Sequence, residues 1–115
     1  MDGIIDLESY TISLIRINSA LSKLEDNDID EAKELLDESF RDLQKVYLET
    51  VEDLNQEEVN LNEYYLFFEN GKQTFPQYIE ALGNIENEEL SEVASNLANV
   101  FNNLNKIAEG FNTEG

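Results

Sequence analysis

The chain has 115 residues, with 26 acids against seven bases, no histidine and no cysteine, and a net charge of -19. Without histidine or cysteine there is no His-centred general base, no Ser-His-Asp or Cys-His nucleophile, no thiolate metal site and no disulfide. The charge repels nucleic-acid phosphates and anionic lipid over about 8 Å, one Debye length at physiological salt, which argues against direct binding to either.

An apolar fraction of 41% recurring at regular spacing is enough for one folded domain over 1–115. The opening "MDGIIDLESY" is acidic and has no basic region before an apolar run, so it is not read as a signal peptide. No stretch approaches the roughly 18 apolar residues of a membrane span, and a cytoplasmic location is the default expectation.

Leu7, Tyr10, Leu14, Ile17, Leu21 and Leu24 alternate spacings of three and four, the seam of a bundle helix over about 3–25. The turn "EDNDIDE" follows, where Asp28 with Glu31 reads as a capping box that starts a second helix at 29. That helix carries Leu36, Phe40, Leu43, Tyr47 and Leu54 to residue 54. Asp26, Asp28 and Asp30 have the first spacings of a calcium loop, but that loop needs glycine at position 6 and glutamate at 12, where this chain has Glu31 and Asp37. A capped helix start is the preferred reading.

Asn55 with Glu58 is a second capping box, opening a third helix on Leu61, Tyr64, Tyr65 and Phe68. Residues 62–82 hold six of the eleven aromatics, the one proline and Gly71. Gly71 is a residue type that ends helices, and Thr74 with Gln77 reads as a fresh cap that leaves Pro76 harmless in a first turn. The third helix is therefore expected in two pieces, about 56–70 and 75–83, broken or kinked between Gly71 and Pro76. A fourth helix starts from Asn84 or Asn87 and runs over about 87–109 on Leu90, Val93, Leu97, Val100, Phe101, Leu104, Ile107 and Phe111. Such segments and short turns predict an all-α, up-down antiparallel four-helix bundle.

Residues 20–46 align without gaps over 81–107, matching Leu36 with Leu97, Phe40 with Phe101 and Leu43 with Leu104. This reads as two similar helical hairpins, with no duplication claimed. The hairpin segments "ALSKLEDNDIDEAKELLDESFRDLQKVYLETVEDL" and "YIEALGNIENEELSEVASNLANVFNNLNKI" resemble the helix-turn-helix segments of flagellin export chaperones, with an uncharacterised family of small acidic bacterial bundles as the equal alternative. The resemblance covers about half the chain and implies a small helical protein that wraps an unfolded segment of a client. The family's polar N-terminal tail with its tyrosine segment is missing, so no binding residue is carried over.

Every acid falls on a polar face or a turn, which points to a non-enzymatic protein with no cofactor and no metal site. Two features point to a protein partner or to self-association. The first is apolar excess. With Leu61 set at 0°, Leu66 and Val59 fall near 150° and Phe67 near 240°, outside the expected core face. On the first helix Ile5, Ile12 and Ile15 lie opposite the seam, where either another element or a partner must cover them. The candidate contact is thus Ile5, Ile12, Ile15, Val59, Leu66 and Phe67, in chaperone-like capture of an amphipathic or basic segment.

The second feature is charge. Residues 25–58 hold fourteen acids and three bases, commonly just a solvated face, but also suited to an acidic decoy or immunity protein that neutralises a basic partner. A purely structural bundle is the remaining alternative.

Overall fold

A computed structural model of the chain describes residues 7–55 and 61–110. Its elements are α1 (Leu7–Glu25), α2 (Ile29–Leu54), α3 (Leu61–Gly83) and α4 (Glu88–Gly110). The all-α bundle is as expected. No helix among the described residues is long and apolar enough to cross a membrane.

The helix ends follow local chemistry. Between α1 and α2 the backbone turns at Asn27, whose φ of 65° lies in the left-handed region that asparagine tolerates. Asp28 then occupies the N-cap of α2, but its side chain makes no capping bond, so the expected box with Glu31 does not form. The turn is held instead by backbone bonds, Asp28 N–H to Lys23 O at 2.8 Å and Ala32 N–H to Asp28 O at 3.1 Å. Asn55 is the C-cap of α2, and the box it was expected to make with Glu58 lies outside the described residues. Of the two candidates at α4, Asn87 provides the cap: its Oδ1 accepts from Glu89 N–H at 2.8 Å.

The largest departure from expectation is in α3, which runs unbroken through Gly71 and Pro76. Thr74 does not cap a new helix; its hydroxyl donates to Asn70 O at 3.2 Å, one turn back in the same helix. Gly71 is there for space. A Cβ on it would lie 2.5 Å from Cζ of Phe75, so the absence of a side chain lets that ring lie on the helix backbone. Pro76 forgoes one backbone bond, a change worth about 3 kcal/mol in a helix interior. Offsetting it, an unbroken helix puts Tyr64, Phe68, Phe75 and Leu82 on one buried face. Each such side chain contributes about 1.5–3 kcal/mol on burial.

The helices alternate in direction, but sequence neighbours are not all spatial neighbours. Backbones approach closely between α1 and α2, between α3 and α4, and between α2 and α4. Phe40 and Asp37 of α2 sit beside Glu89, Val93 and Asn96 of α4, and with directions alternating along the chain those two run parallel. Helices α1 and α3 also run parallel, joined by side chains rather than close backbones: Tyr10 meets Phe67, and further along Asn18 Nδ2 donates to Tyr78 OH at 2.9 Å. Around the bundle the order is therefore α1, α2, α4, α3, which leaves α2 and α3 diagonal. Tyr64 OH bridges that diagonal by donating to Asp53 Oδ2 at 2.7 Å.

Small residues let α1 and α2 come together. Ser13, Ala20, Ala32 and Ser39 are all fully buried. Ser39 Oγ donates to Ser13 O at 3.2 Å and Ser13 Oγ to Ser9 O at 2.9 Å, so the hydroxyls enter the core without stranded donors. Arg16 adds an ion pair across the same seam, with Nη1 2.6 Å from Asp42 and Nε 3.5 Å from Glu38.

The hairpin repeat has a structural reading. Leu36 and Leu97 are both buried, as are Leu43 and Leu104. Their neighbours differ: Phe40 lies toward α4, while Phe101 stacks on Tyr78 and meets Phe75 of α3. Equivalent residues thus contact opposite flanking helices, and the repeat is a shared burial pattern with two different packings.

Candidate interaction groove between α1 and α3

Where two helices are spaced by aromatic rings rather than by close backbones, a gap opens once the rings stop. That happens at the N-terminal ends of α1 and α3. The result is an open groove of about 570 Å³ lined by Leu7, Tyr10, Thr11, Glu63, Leu66, Phe67 and Asn70.

The floor is rigid. Tyr10 and Phe67 are 8% and 7% exposed, and their rings meet edge to face at 5.0 Å between centroids. Phe67 also packs on Phe68 and Phe75 at 5.0 and 5.9 Å, and Phe75 continues to Phe101 at 6.0 Å. The floor is thus the edge of the core itself. Burial first, and the nearby Tyr78 phenol second, push the ionisation of Tyr10 well above the ordinary phenol range, so the floor is uncharged at neutral pH.

The walls are apolar and wet. Leu7 is 54% exposed and Leu66 70%, on facing helices above the rings. Thr11, Asn70 and Glu63 supply a polar rim, and Glu63 is the charged residue of the lining. By contrast, the depression between α2 and α4, about 300 Å³, is ringed by Lys33, Asp37, Glu89 and Glu92 and offers mixed charge around Phe40 and Val93.

The expected contact residues separate here. Leu66 is exposed and forms a groove wall, while Phe67 faces inward and belongs to the core. The helical-wheel origin at Leu61 caused that error: the buried face is centred on Tyr64, Phe68 and Phe75, so Phe67 turns in and Tyr65, expected inside, is 41% exposed. Ile12 and Ile15 are exposed at 37% and 58%, with no described helix covering them, but they do not line the groove. Ile5 and Val59 lie outside the described residues. Spacing puts Leu7 in the α1 seam, but at the first turn of the helix it lines the open groove and is 54% exposed.

The acids that raised the calcium question do not converge. Asp26 and Asp28 sit in the α1–α2 turn and Asp30 in the first turn of α2, and no group of three potential ligands able to hold a metal ion occurs among the described residues. Compared with known protein families, with curated proteins and with solved structures, the chain finds no match.

Proposed function

We propose that this chain is a non-enzymatic protein-interaction bundle that receives a segment of a partner protein in the α1–α3 groove. The observation that carries the reading is the pairing of Leu7 and Leu66, two exposed leucines facing each other over a buried aromatic floor. Isolated surface leucines are ordinary, but a concave apolar site with a few polar groups at its rim is the usual form of a binding site. A floor already packed in place also reduces the ordering cost of binding.

The acidic region favours the second reading, a decoy whose α2 face meets a basic protein through charge. The two differ in location and in response to salt. A photo-crosslinking side chain placed at position 66, and in a second variant at position 48, tests them in the native cell. Groove docking expects a discrete product at 66 that survives a high-salt wash and is missing at 48. A product at 48 alone, lost at high salt, would move the function to the acidic face of α2.

A further inference from the structure

The groove's dimensions and electrostatics narrow what can occupy it, and this step rests on the docking reading above. Its α3 wall spans residues 63–70 and its α1 wall 7–11, about 10 Å and 6 Å of helix. Tyr10 and Phe75 meet at its inner end, and further along the same seam lies a separate, smaller depression of about 180 Å³ beside Asn18 and Tyr78. The site is a short notch, separate from that second depression. It has room for one or two large side chains, not for a client wrapped around the whole molecule.

Charge selects among such segments. Glu63 lines the notch and Glu8 follows Leu7 on α1, while the bases nearest to the lining in sequence are both paired with acids, Lys72 3.4 Å from Glu69 and Arg16 2.6 Å from Asp42. A second copy of this chain would bring a further net charge of -19 against these groups, so self-docking is opposed by like charge. From these observations we infer that the occupant is a short amphipathic segment with one large apolar anchor, aromatic by preference, flanked by lysine or arginine. The anchor sits edge to face on Tyr10 and Phe67 between Leu7 and Leu66, and a flanking cation pairs with Glu63 at the rim.

The test uses the full chain and three synthetic peptides of about 14 residues, roughly four helical turns. One carries Lys and Leu at helical spacing with a central Phe, one replaces that Phe with Ala, and one replaces every Lys with Glu. Fluorescence anisotropy is read against the natural chain, Leu66→Gln, Glu63→Gln and, as a matched control, Leu48→Gln; sedimentation reports self-association.

The inference expects the Lys/Phe peptide to bind, with about tenfold loss on removing either the peptide Phe or Leu66, in the manner of a buried anchor. Glu63→Gln weakens binding about threefold at low salt and little at high salt, and Leu48→Gln leaves it unchanged. Equal binding of the Lys and Glu peptides would overturn the inference, as would equal binding to Leu66→Gln and the natural chain, or a dimer that depends on Leu66. If the Lys and Glu peptides bind equally, both through Leu66, the cationic requirement is wrong and the docking reading stands. If no peptide binds through Leu66, the inference fails, and the crosslink at position 66 then decides the docking reading by itself.

Discussion

The two parallel helix pairs in this bundle are joined by different means. Helices α2 and α4 approach by backbone, whereas α1 and α3 are held apart by Tyr10, Phe67 and Phe75, with a side-chain bond from Asn18 to Tyr78 across them. A close pair leaves little between the helices for a third party to enter. A pair spaced by rings leaves a notch where the rings end, and the notch inherits a rigid aromatic floor from the core. The concentration of aromatics in one third of an acidic chain thus sets the spacing of one interface and shapes an apolar depression within it.

The most damaging way to break the contrast is to remove the spacer. Phe75→Ala takes away a fully buried ring that meets Tyr10, Phe67 and Phe101, and should destabilise the fold by about 3–5 kcal/mol in urea unfolding. A loss below about 1 kcal/mol would mean that the rings do not hold α1 to α3.

Gly71→Ala probes the same ring from the other side. An alanine normally favours a helix by about 1 kcal/mol over glycine, but here its Cβ would overlap the Phe75 ring. A net destabilisation of about 1–3 kcal/mol is expected, largely relieved when Phe75→Leu is added. Stabilisation by the alanine alone would show that the ring has room to move.

Tyr64→Phe removes the hydroxyl that links the diagonal helices through Asp53 and should cost about 1–2 kcal/mol near neutral pH. Its phenol is raised above the ordinary value of 10.0, first by burial and then by its bond to Asp53. The linkage follows from that direction. The stability it contributes is fully present below the unfolded phenol value and falls as pH rises above it, because the unfolded chain ionises where the native chain does not. Unfolding titrations between neutral and strongly alkaline pH should therefore show a shallower decline for Tyr64→Phe than for the natural chain.

The smallest effect sharpens the functional side. Leu66→Gln and Leu48→Gln replace exposed leucines and should each change stability by no more than about 0.5 kcal/mol. A larger loss at position 66 in a thermal melt would make that residue part of the fold rather than a groove wall.

Much of this architecture was legible in the residues. The bounds of α2, the start of α4 from an asparagine cap and the seam of α1 from Tyr10 to Leu24 follow from three-and-four spacing and turn chemistry. The α3 error has an identifiable source. Tyr64, Phe68, Gly71, Phe75, Tyr78 and Leu82 keep one unbroken alternation of four and three, but counting Gly71 as a stop rather than as space for a ring hides it. A separate choice, the wheel origin at Leu61, rotated the assigned face and turned Phe67 outward.

The groove was less legible because it depends on which helices are neighbours. Spacing locates an apolar stripe on each helix, yet nothing local states that α4 rather than α3 lies beside α2. Tyr10 and Leu66 looked unrelated in sequence for that reason, and Glu63 and Asn70 looked like ordinary solvated positions. Buried Ser13, Ser39 and Thr50 were missed too, since a hydroxyl bonded to a carbonyl in a crowded seam leaves no mark in apolar periodicity.

The central claim is that partners are selected by the α1–α3 notch, and an unbiased peptide display against the full chain, with counter-selection on Leu66→Gln, tests it most directly. The account predicts that the surviving peptides share a large apolar anchor beside basic residues and that, in amide NMR spectra, they shift resonances over 7–11 and 63–70. Peptides that instead shift the acidic outer face of α2, or that bind Leu66→Gln as well as the natural chain, would contradict it.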